Sequence, residues 1–395
     1  MKNKFLLSII IPTKDRQYYA ARTSKLMLDS IHDSRIEIIV QDNSILHQEN
    51  KYFNFIDPRF KYFYVEDKMT VVDNFNLALN NSTGDYVCFI GDDDWVLPNI
   101  VELAEFMLLN SIDSIKPLVK VGYNWSNTSN VKTKLVPNLL TIENFNYKIR
   151  KINHSKGLKS LLLNGGQNYQ KFDLAKVYHG ITSRKIVEQI KIKYNTVFGG
   201  ISPDIYSSTI VSLENQSNSY EIDFPFIISG VCSKSTSSDS TSGKHVGKIQ
   251  NTPHFNGING YEIDYRLPKI YSVETVWVDS LFKALIKTKN EYLIQTLFNF
   301  NIFNYYLIKN NKKYIINNFS DNKSYIKLSK SFTFFIYSLR VCFSKFISKL
   351  IKILNRILKY TIVKRDVLSI EIANNLILHN IDANKLRKSM VKFKK

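Results

Sequence analysis

The first part of the chain alternates short apolar runs with helical patterns, and this alternation constrains the fold more than any other feature. The runs have the length and residue types of buried strands. Strands that alternate with helices predict an α/β fold with a parallel, doubly wound sheet. The predicted strands are Leu6–Ile11, Ile36–Val40, Phe60–Val65 and Tyr86–Ile90, and the predicted helices are Tyr18–Ile31, Val71–Leu79 and Asn99–Asn110.

Polar residues follow each predicted strand at the point where it ends. In doubly wound sheets, ligands bind beyond the carboxyl ends of the strands. One such cluster would be ordinary, because loops commonly contain polar residues, but four of them predict a single shared site. The clusters are Thr13, Lys14 and Arg16; Asp42 and Asn43; Glu66 and Asp67; and Asp92, Asp93 and Asp94.

The acidic triplet in Gly91–Asp94 is the most informative of these clusters. It follows the run Tyr86–Ile90 directly, and three adjacent carboxylates at the end of a buried strand repel each other and lose solvation. A divalent cation among them offsets that cost and usually keeps open positions for substrate phosphates. The triplet therefore predicts a metal-dependent site for a phosphorylated substrate. The alternative is a turn with a helix N-cap before Pro98.

Length and charge limit the possible architectures and partners. The chain has 395 residues and a formal net charge of +20, which predicts two or three folding units and attraction to nucleic acid, anionic lipid or phosphorylated substrates. Its three cysteines match neither a zinc pattern nor a disulfide framework, which indicates a reducing compartment. No apolar stretch reaches the roughly 18 residues that a membrane-spanning helix needs. The apolar run after Lys4 is too short for a signal peptide, so we interpret it as the first strand.

Residues 5–110 resemble the nucleotide-sugar-binding half of family 2 glycosyltransferases of the GT-A fold. The match keeps its order and spacing along the whole segment. Many relatives have Asp-Ser-Asp-Asp where this chain has Gly91–Asp94, which leaves open which two of the three aspartates bind metal. The residues that carry the resemblance are Ser8-Ile9-Ile10-Ile11-Pro12-Thr13, Ile39-Val40-Gln41-Asp42-Asn43-Ser44, Asn76, Thr83-Gly84-Asp85-Tyr86, and Gly91-Asp92-Asp93-Asp94 followed by Pro98.

The resemblance implies a GT-A fold and a nucleotide-sugar donor, most commonly a UDP-sugar. Asp92, Asp93 and Asp94 would hold Mg²⁺ or Mn²⁺ against the diphosphate, where the ion neutralises charge on the leaving group. Transfer would be a single in-line displacement with inversion, which requires a general base for the acceptor hydroxyl. The residues implied to bind the nucleotide are Pro12, Thr13, Arg16, Asp42, Asn43 and Asn76.

Asp204 is the candidate general base. It follows the turn Gly199–Pro203, and relatives often place an acid after such a turn, at the head of a helix that faces the acceptor. Ser-Pro-Asp is also a common helix start, where the helix dipole favours an acid. Asp173, Glu214 and Asp223 are alternatives without a positional argument. His179 is interpreted as structural, or as facing the acceptor site.

Lys244 and His245 end a segment rich in serine and threonine, which we interpret as a mobile loop. A cation in such a loop would fold over the donor diphosphate, stabilise the leaving group and exclude water. The alternative is a solvated basic loop.

The C-terminal region combines a basic face with an apolar face. No Asp or Glu lies between Asp321 and Asp366, and this combination is typical of a helix that lies in a membrane interface. The alternative is a helix packed on the catalytic domain with a solvated basic face. The basic face is Lys345, Lys349, Lys352, Arg356 and Lys359, and the apolar face is Phe343, Ile347, Leu350, Leu354, Ile357 and Leu358.

The predicted layout is a GT-A catalytic domain, a connection and a helical, basic C-terminal region. The catalytic domain covers residues 1–230, with a nucleotide-sugar-binding half (1–110) and an acceptor half (111–230). The connection with its mobile loop covers 231–271, and the C-terminal region covers 272–395.

The predicted activity is metal-dependent, inverting transfer of a sugar to a hydroxyl of a polysaccharide or lipid-linked oligosaccharide. It would occur in the cytoplasm, on an anionic membrane surface. A nucleotidyltransferase is the alternative enzyme class, although no glycine-rich loop follows the first strand. A nucleic-acid-binding protein is the third class, but the basic residues accompany aliphatic stripes and no recognition motif occurs, so no nucleic acid is expected.

Overall fold

The computed structural model describes residues 5–128, 135–214, 218–233, 246–248, 261–318, 346–347, 350 and 361–393. Its strands are β1 Leu7–Thr13, β2 Ile36–Asp42, β3 Phe60–Tyr64, β4 Tyr86–Phe89, β5 Trp95–Val96, β6 Ser114–Pro117, β7 Val121–Asn124, β8 Leu139–Glu143, β9 Ile149–Lys151, β10 Ile181–Ser183, β11 Ser219–Ile222, β12 Ile227–Val231, β13 Gly247–Lys248, β14 Ile270–Tyr271 and β15 Thr361–Lys364. Its helices are α1 Gln17–Ser30, α2 Glu49–Tyr52, α3 Val71–Asn80, α4 Ile100–Leu109, α5 His154–Leu163, α6 Arg184–Tyr194, α7 Pro203–Glu214, α8 Val273–Lys287, α9 Tyr292–Leu297, α10 Phe300–Asn318, α11 Ile370–His379 and α12 Ala383–Phe393.

Eight strands form the main sheet in the order β3-β2-β1-β4-β10-β6-β11-β9. The first four are parallel to one another. β6 runs in the same direction as these four strands, because β10 pairs antiparallel with both β4 and β6. β11 pairs parallel with β6 and therefore shares this direction. Every residue of β1 and β2 is buried, as expected for a parallel sheet with helices on both faces. The predicted α/β architecture, a mostly parallel sheet with flanking helices, is confirmed.

The first seven predicted elements lie within two residues of their observed bounds. The register places Ile9 between Ile38 and Cys88. β10 passes directly into α6, and the Ser183 hydroxyl caps this helix by accepting the Ile186 amide at 3.4 Å. Local patterns were sufficient here because continuous apolar runs and cap residues are strong signals.

A second sheet, β15-β8-β7-β12-β5, packs beside the first. β12 pairs with β5, which follows the acidic triplet, and with β7. β15 pairs antiparallel with β8, so the prediction of a purely helical region beyond Ser272 is incomplete. The β-branched residues Thr361, Ile362 and Val363 favour a strand once β8 offers an edge.

Helix α11, in the C-terminal region, is part of the main hydrophobic core. Ile370, Ala373 and Ile377 are fully buried in the same cluster as β1 and α4. The indole of Trp95 donates to Asn374 Oδ1 at 3.1 Å. Helix α11 therefore packs against β5.

Helices α5, α8, α9 and α10 contribute to a separate hydrophobic cluster, which α7 joins through Ile205. None of the helices in the described part of the chain is both long and apolar enough to span a membrane. The basic segment predicted to bind a membrane surface lies mostly outside the described residues. Within it, the side chains of Phe346, Ile347 and Leu350 are exposed.

Candidate active site

The ends of β1, β2 and β4 meet at the carboxyl edge of the main sheet. The register pairs Thr13 with Asp42 and Ile10 with Phe89, so the residues that follow these strands lie close together. The Thr13 hydroxyl donates to Asp92 Oδ2 at 2.7 Å. Three of the strand-end clusters seen in the sequence thus occupy one edge.

Arg16 contacts both Asp92 and Asp93. Its Nη2 lies 2.9 Å from Asp92 Oδ1, and its Nη1 lies 3.9 Å from Asp93 Oδ1. Burial raises the pKa of Asp92 to about 7, although Arg16 acts in the opposite direction. Burial alone would lower the pKa of Arg16, but the two carboxylates outweigh it and raise that pKa. The guanidinium supplies the positive charge that this pair of buried acids requires.

The second sheet holds Asp93 in place. Asp93 Oδ2 accepts the amide of Cys232 at 3.1 Å, and the Asp93 carbonyl oxygen accepts the indole N–H of Trp125 at 3.0 Å. Burial raises the pKa of Asp93, and Arg16 opposes this effect. A Cβ at Gly230 would lie 1.7 Å from the Asp93 carbonyl oxygen. β12 therefore approaches the acidic triplet this closely only because glycine occupies that position.

His179 pairs with Asp94. Its Nε2 lies 2.6 Å from Asp94 Oδ2, and the amides of Gly91 and Gly230 donate to the same carboxylate at 2.8 and 2.7 Å. Burial would raise the pKa of Asp94, but His179 and these amides outweigh it and lower the pKa. His179 has a φ of 59°, and its ring stacks on Tyr178 with 4.3 Å between ring centres. A strained backbone conformation is thus maintained beside the triplet.

Gly91 stands where many relatives have an acid, and the local packing explains the difference. A Cβ at this position would lie 2.7 Å from Asp94 Oδ2 and 3.0 Å from the Tyr178 hydroxyl. Because Asp94 turns back onto the Gly91 amide, a larger side chain does not fit.

Asp42 and Asn43, which are predicted to contact the nucleotide, are hydrogen-bonded within the protein. Asp42 accepts the Tyr62 hydroxyl at 2.7 Å and the Ser44 amide at 2.8 Å. Asn43 Nδ2 donates to two carbonyl groups of the loop after β3 at 2.9 and 2.7 Å. Pro12 is buried in β1. These hydrogen bonds fix the orientation of the Asp42 and Asn43 side chains.

An aromatic stack that the sequence analysis missed lies beside Asp42. The ring of His47 stacks on Tyr64 with 4.1 Å between ring centres, and it is nearly parallel to Tyr62 at 5.9 Å. Tyr62 and Tyr64 share one face of β3 because side chains alternate along a strand. That alternation is the sequence signal that could have revealed the stack.

Asn76 connects α3 to the segment before the Asp204 turn. Its Nδ2 donates to the Phe198 carbonyl at 2.9 Å, and its Oδ1 accepts the Phe198 amide and the Thr196 hydroxyl, both at 3.2 Å. These bonds occupy both ends of the side-chain amide. The structure thus gives Asn76 contacts with the protein itself.

Asp204 lies in the first turn of α7. Its carboxylate accepts the Ser202 hydroxyl at 2.7 Å and the Tyr169 hydroxyl at 2.8 Å. The Ser280 hydroxyl oxygen on α8 accepts the amides of Ile201 and Ser202 at 3.0 and 2.9 Å. α8 therefore fixes the turn that presents Asp204.

Tyr178 lies beside the acidic triplet. Its hydroxyl lies 3.4 Å from Asp94 Oδ2. Burial raises the pKa of Tyr178 well above its ordinary value, and Asp94, Asp93 and Asp204 raise it further. Lys244 and His245 lie outside the described residues.

The donor groups at the triplet fit a divalent ion that a substrate helps to hold. Among the described residues, no three or more His, Cys, Asp or Glu side chains are grouped so that they could surround a metal ion. A divalent ion bound through one or two carboxylates and substrate phosphates needs no such cage. Asp92 Oδ1 is buried and lies 2.9 Å from Arg16 Nη2, but it accepts no hydrogen bond of suitable geometry in the part of the chain that the structure describes, and Asp93 Oδ1 lies beyond hydrogen-bond distance from Arg16. These two oxygens are available as ligands, whereas Asp94 is already held by several donors.

The family model for glycosyl transferase family 2 matches residues 8–175. The chain contains a family 2 glycosyltransferase domain. The resemblance seen in the sequence is thereby confirmed, and the match favours glycosyl transfer over nucleotidyl transfer. Arg16 and the acidic triplet lie inside the matched stretch of the family 2 domain, whereas His179 and Asp204 follow it.

Two relatives of the family 2 domain act, by name, in polysaccharide biosynthesis. "Putative teichuronic acid biosynthesis glycosyltransferase TuaG" from Bacillus subtilis (strain 168) is 33% identical over 115 residues, which are 27% of this chain and 44% of that protein. "Putative colanic acid biosynthesis glycosyl transferase WcaA" from Escherichia coli (strain K12) is 34% identical over 101 residues, which are 25% of this chain and 36% of that protein. The chain spans less than half the length of either relative.

Among solved structures, S. aureus TarS 1-349 in complex with UDP-GlcNAc is 14% identical to this chain. The alignment covers 83% of this chain and 92% of TarS 1-349, with a TM-score of 0.42. A TM-score below 0.5 does not establish a shared fold.

Proposed function

We propose that this chain is a metal-dependent, inverting glycosyltransferase. It would move a sugar from a nucleoside diphosphate donor to a hydroxyl of a polysaccharide or lipid-linked oligosaccharide. The observation that carries the proposal is the contact of Arg16 with Asp92 and Asp93 at the carboxyl edge of the family 2 domain. The bond between the anomeric carbon and the diphosphate oxygen breaks, and a bond to the acceptor oxygen forms on the opposite face of the sugar.

The donor diphosphate is proposed to bind in front of Arg16. A guanidinium group matches phosphate oxygens in a bidentate manner, so Arg16 is suited to contact both the diphosphate and the carboxylates. Asp92 and Asp93, together with the diphosphate, would hold Mg²⁺ or Mn²⁺, which neutralises charge on the leaving group. Thr13 orients Asp92 through their 2.7 Å hydrogen bond. Lys244 and His245 stay a sequence-based prediction for this pocket.

The nucleotide is proposed to lie against the wall formed by Asp42 and Asn43. The stack of His47 on Tyr64 offers a flat aromatic surface beside this wall, and aromatic faces are suited to stack with a base. The family resemblance makes UDP the expected nucleotide. Asn76 would act indirectly, since it positions the segment before Gly199.

Asp204 is proposed as the general base. It would accept the proton of the acceptor hydroxyl as that oxygen attacks the anomeric carbon. Tyr169 and Ser202 fix the orientation of its carboxylate through hydrogen bonds of 2.8 and 2.7 Å. α8 holds the turn through Ser280, so the base sits on a rigid support.

The acceptor is proposed to be a surface polysaccharide that is built on a lipid carrier. This is supported by the names of the two relatives, which concern the biosynthesis of teichuronic acid and colanic acid. The basic segment before β15 would bring the enzyme to an anionic membrane surface, where each basic residue near the lipid adds about 1 kcal/mol.

Charge reversal tests the membrane proposal more sharply than truncation. A truncation at residue 331 would also remove β15, α11 and α12 from the core, so it would not isolate the effect of the basic segment. We expect the variant Lys345→Glu/Lys349→Glu to float with phosphatidylglycerol liposomes less than the unmodified protein. The control, Lys156→Glu/Lys159→Glu, changes two exposed lysines on α5 and should float normally. Equal flotation of both variants would contradict membrane binding through the basic segment.

The proposed function is tested by a thermal-shift screen of nucleoside diphosphate sugars, with and without Mn²⁺. A ligand that binds only the folded state raises the melting temperature according to its affinity. We expect at least one UDP-sugar to raise it in the presence of Mn²⁺. A screen in which no activated sugar shifts the melting temperature would contradict the proposal.

A further inference from the structure

Helix α8 has a fixed position in the hydrophobic cluster to which α5, α9 and α10 also contribute. Its residues Val278, Leu281 and Phe282 are fully buried there. The carboxylate of the neighbouring Asp279 accepts the Asp264 amide through Oδ1 at 2.8 Å. Because apolar packing and this hydrogen bond both hold the helix, its other side chains project from a rigid support.

The turn before α7 lies directly against α8. Gly200 in this turn has a φ of 67°, a conformation that favours glycine. A Cβ there would lie 2.6 Å from Ser280 Oγ and 2.8 Å from Ser280 Cα. The Ser280 oxygen also accepts the Ile201 and Ser202 amides. Ser280 is therefore in contact with three consecutive residues of the turn.

Both hydroxyl groups that orient the Asp204 carboxylate are supported by α8. Ser202, which donates to Oδ1, is held at its backbone by Ser280. Tyr169, which donates to Oδ2, packs edge-to-face with Trp277, with 5.3 Å between the ring centres and 83° between the ring planes. Trp277 and Ser280 are three residues apart on the helix and thus share one face.

Ser280 has no surface of its own for a substrate. The residue is fully buried, so any effect of Ser280 on sugar transfer must pass through the residues that it contacts. Helix α8 also lies outside residues 8–175, the stretch that the family 2 model matches.

We propose that Ser280 and Trp277 are positioning residues for sugar transfer and that they act through Asp204. Ser280 holds the turn and Trp277 holds Tyr169, so that the carboxylate keeps the direction needed to accept the proton of the acceptor hydroxyl. This inference rests on the proposed function, since it takes Asp204 as the general base. It makes α8 part of the transfer machinery.

Ser280→Ala is expected to lower kcat by roughly tenfold or more, because a misplacement of about 1 Å can cost on the order of 100-fold. The substitution leaves two buried amides without their acceptor, so the whole turn shifts. The KM for the donor should not change, since the diphosphate is proposed to bind at Arg16. A loss confined to kcat is expected of a group that acts in the transition state.

Turnover is measured on the full-length protein as release of UDP from the UDP-sugar that gives the largest thermal shift. Mn²⁺ is present, and water is the acceptor. Water needs the same general base as an acceptor hydroxyl, so the assay requires no particular acceptor glycan. UDP is quantified after long incubations, so that slow variants are also measured.

A double-mutant cycle with Asp204→Asn separates positioning from a general role in the fold. If Ser280 acts through the Asp204 carboxylate, Ser280→Ala should change turnover by less than about twofold once Asp204→Asn has removed that carboxylate. A serine that only stabilises the fold would lower turnover by the same factor in both backgrounds.

Ser272→Ala is the matched control. Ser272 caps the start of α8, where its hydroxyl oxygen accepts the Thr275 amide at 3.2 Å. The same substitution thus removes a helix cap without a contact to the turn. We expect a lower melting temperature, with normal turnover well below that temperature. If Ser280→Ala does not fold, Trp277→Leu takes its place, with a few-fold loss that also disappears in the Asp204→Asn background.

Two results would overturn the positioning roles. One is normal turnover in both Ser280→Ala and Trp277→Leu, and the other is an equal relative loss in the two backgrounds. Either result, with Asp204→Asn strongly impaired, leaves the proposed function standing. Full activity of Asp204→Asn alone would instead contradict the proposed base, and the positioning roles with it.

Discussion

Asp93→Ala is expected to reduce sugar transfer by at least about 100-fold, the usual scale for losing a key electrostatic group in an active site. Asp93 Oδ1 faces Arg16 at 3.9 Å and is one of the two available oxygens in front of the proposed diphosphate position. Its removal would weaken the hold on Mg²⁺ or Mn²⁺ and leave Arg16 paired with Asp92 alone. Turnover is measured as release of the nucleoside diphosphate from the donor.

Asp93→Asn separates charge from structure in this experiment. The asparagine retains an oxygen that accepts the Cys232 amide, which Asp93 holds at 3.1 Å, but it removes the negative charge. We expect a similar loss of turnover with a melting temperature close to that of the unmodified protein. Asp29→Ala serves as a control, because Asp29 is exposed on α1 and pairs with the exposed Lys25. Near-normal turnover in Asp93→Asn would show that the acidic triplet is misassigned.

Asp204→Asn is expected to lower turnover by roughly 100-fold or more, which is the usual contribution of a general base. The amide can still accept a hydrogen bond from Tyr169 or Ser202, so the turn before α7 should keep its shape. Donor affinity should be unchanged, because the diphosphate is proposed to bind at Arg16. Turnover and donor affinity are measured separately on the same preparation.

Ser202→Ala is the matched control for Asp204→Asn. It removes the hydroxyl that lies 2.7 Å from Asp204 Oδ1 and leaves the carboxylate and its bond from Tyr169. We expect only a few-fold loss of turnover, since one orienting contact remains. If Asp204→Asn were as active as Ser202→Ala, the base would have to be another residue.

Local sequence patterns predicted the helices and strands of residues 5–110 closely. Continuous apolar runs defined the strands from β1 to β4. The pattern did not reveal β15, because Thr361–Lys364 becomes a strand only through its pairing with β8. An edge supplied by residues far away in the chain leaves no local signal.

The candidate site was predictable only in part, for the same physical reason. The acidic triplet stood out because adjacent acids after a buried strand are unusual. His179, however, reaches Asp94 from 85 residues away, and the Gly230 amide reaches it from 136 residues away. Asn76 was placed in the nucleotide pocket by resemblance, while its hydrogen bonds in the structure go to the segment 196–198.

Calorimetric titration of the full-length protein with UDP-sugars, in the presence and absence of Mn²⁺, tests the central claim most directly. We predict saturable binding that depends on Mn²⁺ and is lost in Asp93→Asn. Binding that neither needs a divalent ion nor responds to Asp93→Asn would contradict it.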